Sequence, residues 1–411
     1  MKIYLRPVFF AGLFLIFGGC ATYQSQVLES RRLLQERKFE VALSKLKPLA
    51  DKDNGDKLIH LLDYGTALHL AGNLAESNKV FLFADKFAES QDYHSVSRVT
   101  GSMLLNEEMV QYKGDTFEKI FINAFLALNY LELGQLDEAL VETRRMNEKY
   151  KKLRGEDKKS FELNPFAKYL SALIWEADQK WDDAYIAYSE AYALDPTIQT
   201  IKADLIRSAK MSRRMDEYKK WKAAFPEVLE LPTWSDKSTG ELIVIYQQGW
   251  GPRKEFARHD HRVPTLRPVS SLTQTAELEI QSLGKFQSEF IYDTERAAIK
   301  TLQDDAGALL ARRLAAFAAK EVVSDQIRQK NELLGFLSNV AMHVSERADL
   351  RQWSTLPQTI RLIKVPLKAG SYQISIQGLS GSGSPTGDRL ESRAISIKAG
   401  RKTFINWRSL N

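Results

Sequence analysis

The chain has 411 residues, of which 44% are hydrophobic and 27% are charged, and its formal net charge is +6. This composition is that of a folded globular chain and excludes an intrinsically disordered one. The charge is too mild to indicate a nucleic-acid partner, and a single cysteine excludes a disulfide framework.

The first twenty residues have the layout of a secretory signal. Two basic residues, Lys2 and Arg6, precede the apolar stretch Val8–Phe17, which is too short for a membrane-spanning helix of about 20 residues. Cys20 follows two glycines, and this arrangement resembles the bacterial lipobox, in which the cysteine is acylated after the signal is cut. We predict a lipoprotein-type signal peptide at residues 1–19 and a lipid anchor at Cys20. The alternative is an ordinary signal peptide with an incidental cysteine.

The residues after the anchor bear on its location. Ala21 and Thr22 follow Cys20, so the aspartate that retains lipoproteins in the inner membrane of enteric bacteria is missing. This favours the outer membrane, with the protein anchored on its periplasmic side. The mature chain of 392 residues would carry a charge of +4 and no free thiol, and it is long enough for two or three domains.

Residues 20–230 are predicted to form an array of helical hairpins. Helical periodicity runs through this region, and a small residue that lets two helices approach recurs at Ala42, Ser77, Ala139 and Ala184. The intervals are 35, 62 and 45 residues, and the first is close to the tetratricopeptide period of about 34. The pattern resembles tetratricopeptide repeats interrupted by inserts, and the alternative is a generic helical bundle. Such arrays present an extended surface that holds peptides or proteins.

Residues 231–411 are predicted to form an α+β region. Glu241–Tyr246 is a candidate buried strand, and the glycines and proline that follow it indicate a turn running to Lys254. A long helix is expected at about residues 293–344, and alternating segments in 355–411 favour a small antiparallel β-sandwich-like unit. The predicted fold class is therefore multidomain α+β, with a helical solenoid in front of an α+β region.

Two places in the carboxy-terminal region are candidate binding sites. Arg253 and Lys254 at the glycine-rich turn could hold an anion, although a purely structural turn is favoured because no phosphate-binding spacing is present. His259 and His261 could share a metal ion if they lie on one face of a strand, but no third ligand is identifiable. An exposed polar loop is the favoured alternative there. With no catalytic motif in the chain, we predict neither enzymatic activity nor a cofactor.

A charged string inside the repeats is a candidate partner-binding site. Glu142, Arg144 and Arg145 fall within a helix, where unpaired buried charge would be costly. One hypothesis places an arginine in the concave groove, where it binds a carboxylate of the partner in a bidentate manner. The alternative is a solvated helix face on which Glu142 and Arg145 form a local pair.

Several strings together resemble a known family. They are 115–119, 129–134, 139–147, 164–171, 251–254, 348–353 and 356–357, and they are similar to a family of bacterial lipoproteins with tetratricopeptide-like repeats. Members of that family are often encoded near lipoproteins similar to activators of penicillin-binding proteins. The resemblance implies a role in the cell envelope, with a link to peptidoglycan synthesis, and it carries over no catalytic residue.

The sequence thus favours an anchored adaptor that binds a protein partner in the cell envelope. The membrane contact would be the lipid at Cys20, and no nucleic acid is expected. The alternatives from other classes are a metal-dependent hydrolase of cell-wall polymer centred on His259 and His261, or a ligand-binding module.

Overall fold

The computed structural model describes residues 23–94, 111–155, 164–258, 260–303 and 348–411. The predicted signal peptide and Cys20 lie outside these residues, as do most of the predicted long helix and His259. Across the described ranges, no helix combines the length and the apolar composition needed to cross a bilayer.

The helical half contains ten α-helices within the described ranges, and consecutive pairs form five hairpins. The helices are α1 (Tyr23–Gln35), α2 (Phe39–Asp51), α3 (Lys57–Leu70), α4 (Leu74–His94), α5 (Thr116–Glu132), α6 (Leu136–Gly155), α7 (Pro165–Ala177), α8 (Trp181–Leu194), α9 (Thr200–Met211) and α10 (Met215–Ala224). Each hairpin also packs on the next one, since α2 contacts α3, α4 contacts α5, α6 contacts α7 and α8 contacts α9. The structure therefore confirms the predicted array of helical repeats.

All five hairpins turn in the same way. A residue with positive φ ends each first helix, at Arg37, Gly72, Gly134, Gln179 and Arg213. The next residue donates its N–H to a carbonyl five residues earlier, as Asn73 does to Leu68 (2.9 Å), which is the Schellman motif. The turns are 35, 62, 45 and 34 residues apart, so the first three intervals repeat the spacing of the small residues. The fifth hairpin, α9–α10, was not among the predicted copies.

The small residues of the sequence pattern lie between packed helices. All four are fully buried, namely Ala42, Ser77, Ala139 and Ala184. The Ser77 hydroxyl donates to the carbonyl of Gly65 (2.9 Å) on the paired helix. A Cβ added at Gly65 would lie 2.8 Å from the Phe81 ring, so this helix pair requires a glycine to pack closely.

Ten β-strands occupy the described part of the carboxy-terminal region. They are β1 (Thr239–Gln248), β2 (Arg253–Ala257), β3 (Asp260–Arg267), β4 (Thr275–Ile280), β5 (Gly284–Gln287), β6 (Glu289–Asp293), β7 (Thr359–Lys368), β8 (Gly370–Leu379), β9 (Pro385–Ile397) and β10 (Lys402–Arg408). One sheet has the order β10-β1-β7-β6 and a second has β5-β4-β8-β9, while β2 and β3 form a ribbon. Five strands between Arg253 and Asp293 were missed. The turn predicted after β1 is confined to residues 249–252, and its extension to Arg253 and Lys254 is wrong because β2 begins there.

The sheet β10-β1-β7-β6 is the middle layer of the molecule. Leu242 and Val244 on β1 belong to a buried cluster shared with the second sheet, whereas Ile243 and Ile245 belong to the cluster that contains the helices. Because alternate residues of a strand point to opposite faces, β1 is buried on both sides, which explains its continuous apolar run. The two sheets form a sandwich, but β1 and β10 pair in parallel, so the unit is not wholly antiparallel as predicted.

The transition from helix to strand falls between Ala224 and Thr239, around the predicted boundary at 230 and 231. Residues 294–303 are helical and follow β6, in agreement with the start of the predicted helix at 293–344. The Asp293 carboxylate accepts from the N–H of Arg296 (2.7 Å) and so caps this helix. The division into two domains stays a prediction, since both halves contribute to one buried cluster.

Candidate functional site

The first helices of the five hairpins, α1, α3, α5, α7 and α9, form a surface that we call the inner face. This face contacts the carboxy-terminal half of the same chain at widely spaced points. Thr355 donates to Asp63 on α3 (2.8 Å), and the N–H of Asn406 donates to Glu132 on α5 (3.0 Å). At the far end, Lys364 pairs with Asp204 on α9.

Residues 348–358, which we call the inner segment, lie on the inner face without regular secondary structure. Trp353 is fully buried, and its indole N–H donates to Thr66 Oγ1 (2.9 Å). Its ring centroid lies 5.7 Å from that of Phe81 and 5.6 Å from that of Phe125. This tryptophan therefore joins the segment to the core of two hairpins.

The main chain of the inner segment is held much as a bound peptide would be. Gln24 donates to the carbonyl of Leu350 (2.8 Å), and the Tyr23 hydroxyl donates to the carbonyl of Gln352 (3.0 Å). Arg351 donates to the carbonyl of Gly55 (3.2 Å) in return. The first three hairpins consequently have their inner face occupied by their own chain.

Glu118 on α5 is the buried carboxylate at the centre of this contact. It accepts hydrogen bonds from the N–H of Trp353 (2.7 Å), the hydroxyl of Tyr112 (2.5 Å) and the N–H of Asp115 (2.9 Å). Burial and then the nearby Asp115 carboxylate raise the pKa of Glu118 to about 7. Glu118 thus combines a helix-capping role with a contact across the molecule.

Beyond the inner segment, the inner face opens into a cleft of about 1110 Å³. The cleft lies between α7–α9 and the strands β1, β5 and β7, and we call it the distal cleft. One face of α9 lines it, through Thr200, Ala203, Asp204, Arg207 and Met211. Apart from the adjacent pair Ala203 and Asp204, these positions are three or four residues apart, as expected for a single helix face.

Six mutually paired charges form the floor of the distal cleft. They are the acids Glu176, Asp204 and Glu241 and the bases Arg207, Lys364 and Lys402. Arg207 contacts Glu176 at 2.7 Å, Asp204 at 3.0 Å and Glu241 at 3.3 Å, and Lys402 pairs with both Glu176 and Glu241. Burial acts to raise the pKa of Glu241, but Lys402 and Arg207 hold it well below its usual range.

The three acids and three bases of this network pair with one another. The pairs link the helices α7 and α9 to the strands β1, β7 and β10. No pairing signal in the sequence indicated it, because the six residues are spread over more than two hundred positions of the chain.

The predicted partner-binding residues lie on α6, the second helix of its hairpin, and so not on the inner face. Glu142 is buried and pairs with Arg145 at 3.1 Å, and it also accepts from Asn123 (2.8 Å). Burial raises the pKa of Glu142. Arg144 is exposed, with its guanidinium 5.6 Å from the centroid of the Trp175 ring. The role of these residues in partner binding stays a prediction.

The candidate anion and metal residues lie at the β2–β3 ribbon. Arg253 and Lys254 are neighbours on β2, so their side chains point to opposite faces, and Lys254 donates to the carbonyl of Arg351 (3.3 Å). Burial and then Arg31 lower the pKa of Arg253. His259 lies outside the described residues, and of His261 only the backbone, in β3, is described. The residues that are described contain no group of three potential metal ligands.

Comparison with known proteins gives matches only among solved structures. No family model matches the chain, and no curated protein matches it. A tetratricopeptide repeat protein from Parabacteroides merdae ATCC 43184 is 16% identical over 50% of this chain and 66% of that chain, with a TM-score of 0.33. A putative kinesin light chain with nearly identical TPR-like repeats from Podosopora anserina is 12% identical over 50% of this chain and 93% of that chain, with a TM-score of 0.34.

A third similar structure is MamA from Desulfovibrio magneticus RS-1, which is 20% identical over 51% of this chain and 95% of that chain, with a TM-score of 0.32. The five hairpins and their shared turns, rather than these matches, identify the helical half as tetratricopeptide-like.

Proposed function

We propose that the protein is a lipid-anchored scaffold of the bacterial cell envelope that binds a protein partner on the outer face of its helical array. The outer face is the surface formed by the second helices. The observation that carries the proposal is that the inner face of the first three hairpins is occupied by the chain itself. A partner that docks without displacing this contact must use another surface.

The second helices α6 and α8 offer such a surface. Val141 and Ile186 are 40% and 43% exposed, and each lies two residues after the buried small residue of its hairpin, Ala139 or Ala184. Both helices pack on α7, so the two apolar side chains occupy equivalent places on either side of it. We call Val141, Ile186 and Arg144 the outer patch, and Arg144 lies over the ring of the buried Trp175 on α7.

The composition of the outer patch suits a protein interface. Arg144 lies 5.6 Å and Lys180 5.3 Å from the centroid of the Trp175 ring, so two cations flank one aromatic group. Arginine is enriched where protein partners bind, and the exposed branched side chains of Val141 and Ile186 supply apolar area to be buried. This supports a folded protein or a helix as the partner.

The predicted anchor supports a place at the membrane. Cys20 precedes Tyr23, the first residue of α1, by three positions, which span about 10 Å when extended. An acylated Cys20 would therefore hold the first hairpin against the lipid headgroups. The resemblance to envelope lipoproteins makes proteins of peptidoglycan synthesis the partners to look for.

Cross-linking in cells tests the partner surface. The native protein should capture a discrete set of envelope proteins, and Val141→Asp with Ile186→Asp should lower that capture about ten-fold or more, because charges on an apolar interface are left desolvated. Leu272→Asp is the matched control, since Leu272 is 72% exposed and lies outside the outer patch. Equal capture by the native and doubly substituted proteins would show that the partner does not bind at the outer patch.

Two further variants complete that experiment. Arg144→Ala with Arg145→Ala tests the charged string predicted from the sequence, and unchanged capture would remove both arginines from the interface. Cys20→Ala tests the anchor, and the variant should lose labelling by radioactive palmitate and leave the membrane fraction. Retained labelling would overturn the lipid anchor at this cysteine.

A further inference from the structure

Two of the seven tryptophans have indole groups with no stacking, cation–π or hydrogen-bond partner in the described part of the chain. The other five each have one, since Trp175 lies under two cations, Trp221 stacks on Phe225, Trp250 and Trp353 donate hydrogen bonds, and Trp407 stacks on Tyr246. The indole groups of Trp181 and Trp234 make no stacking contact, cation–π contact or hydrogen bond with the described residues. Both side chains are half-buried, and Trp234 packs on one side against the main buried cluster. A large aromatic side chain held in this way is available to a ligand.

Both tryptophans line the distal cleft. Trp181 begins α8, and Trp234 ends the short 3-10 helix Pro232–Trp234 that leads to β1. Phe286 on β5 lines the same cleft. Aromatic groups from three separate elements therefore border one open space.

Neutral amide groups accompany these aromatic rings. Gln199 donates to the carbonyl of Thr197 (3.0 Å), and Gln287 donates to the carboxylate of Glu277 (2.7 Å). Both line the cleft, and within the described residues each amide oxygen is left without a hydrogen-bond donor. Gln179, at the left-handed turn between α7 and α8, lines it as well.

Five acids and six bases line the cleft, and the extra base is paired with an acid outside it. The floor network holds three acids and three bases, and at the rim Asp236 and Glu289 stand against Lys237 and Arg401. The remaining cation, Lys285, pairs with Glu277 at 2.6 Å. Once Lys285 is paired with Glu277, the cleft has no net charge to favour a ligand of either sign.

We propose that the distal cleft binds a neutral oligosaccharide, whose ring faces stack on Trp181 and Trp234 and whose hydroxyl groups bond to the glutamine amides. A pyranose ring presents an apolar face of C–H groups and an edge of hydroxyls, which matches aromatic rings beside neutral hydrogen-bonding groups. The cleft volume of about 1110 Å³ exceeds the range of roughly 300–1,000 Å³ that holds one drug-sized molecule, so several linked rings fit. This inference goes beyond the scaffold function and does not depend on it.

Titration of the purified mature chain with neutral hexasaccharides tests the proposal. The probes are the hexamers of N-acetylglucosamine and of maltose-type glucose, with binding followed by tryptophan fluorescence and by calorimetry. At least one hexamer should bind and change the fluorescence. The absence of heat and of any fluorescence change for both, up to about 10 mM ligand, would overturn the proposal. A dissociation constant above that concentration corresponds to less than about 3 kcal/mol of binding free energy, which is too little for specific recognition.

Variants locate the site. Trp181→Ala and Trp234→Ala should each weaken binding about ten-fold or more, whereas Trp181→Phe, which keeps a ring for stacking and packing, should weaken it less. Trp221→Phe is the control, because Trp221 stacks on Phe225 outside the cleft, and it should bind like the native chain. Binding that survives both alanine substitutions in folded protein would place the saccharide elsewhere and refute the assignment. A stronger response to an extended peptide than to either hexamer would refute the ligand class.

Discussion

Glu118 shows how one residue links distant parts of the chain. Its carboxylate is fully buried and accepts hydrogen bonds from the loop before α5 and from the backbone of Trp353 in the inner segment. Burial raises its pKa to about 7 from the ordinary value of 4.5. The raised pKa belongs to the folded state. Between about pH 4.5 and pH 7, Glu118 therefore stays protonated in the folded protein but loses its proton in the unfolded chain.

A pH series with Glu118→Gln tests this linkage. The contribution of the carboxyl group is fully present below about pH 4.5 and is lost as the pH rises through about 7. The free energy of unfolding of the native protein, minus that of the variant, should therefore fall by about 2–3 kcal/mol over this window. Urea unfolding at each pH provides the measurement. Glu76→Gln at a surface pair with Lys79 is the control, and its curve should run parallel to the native one.

At the scale of single elements, the hairpin turns offer a direct test of backbone strain. Gly134 has φ of 73°, and a Cβ added there would meet no atom within 4 Å. Gly134→Ala should therefore cost about 1 kcal/mol through the left-handed backbone alone. Gly387→Ala is the matched control, because its Cβ would also meet nothing and its φ is not positive. Thermal unfolding compares the two, and an equal effect of both substitutions would exclude strain at the turn.

These turns also explain what the sequence could predict. Gly72 and Gly134 are recognisable in the sequence as turn residues, because glycine adopts positive φ readily. The small residues Ala139 and Ala184 indicate where the two helices of their hairpins pack together. At the fifth turn the left-handed residue is Arg213, and the position five residues later holds Tyr218 where the other hairpins have a small residue. With neither signal present, the hairpin α9–α10 was missed. A turn motif made by backbone hydrogen bonds tolerates side chains that cannot be recognised in advance.

The short strands and the distal cleft could not be predicted from the sequence. The strand β5 has only four residues, and β2 is a charged stretch of five, so neither offers enough alternation to detect. Trp353 was visible as part of a string but not as the residue that fills the inner face. The distal cleft was not predictable because its lining comes from helices and strands that meet only after the sheet packs on the array. Contacts between remote segments are a property of the tertiary structure.

On the scale of the whole molecule, the helical array and the middle sheet form one packing unit. Ile243 and Ile245 of β1 share a buried cluster with Phe121 and Phe125 of α5, and the floor of the distal cleft ties the same two layers by ion pairs. The inner segment adds a third link. A scaffold built in this way keeps its outer patch and its cleft in a fixed relation, so that two ligands could be held together at a defined distance.

This coupling predicts that both halves unfold together. Helix content followed by circular dichroism and the fluorescence of the tryptophans should give coincident urea transitions. Glu241→Gln should shift both equally and cost about 3–5 kcal/mol, because Lys402 and Arg207 lose a buried partner. Because those cations hold the pKa of Glu241 below its ordinary value, its contribution is present above about pH 4.5 and is lost as the pH falls.

The control for this experiment is Glu391→Gln, which removes the exposed pair with Arg389 and should change stability by less than about 1 kcal/mol. If the two probes report separate transitions, and Glu241→Gln shifts only one of them, the halves fold as independent domains joined by a weak interface. Coincident transitions that move together would instead mean that a ligand in the distal cleft stabilises the helical array as well as the sheet, since binding to the folded state raises the stability of the whole cooperative unit.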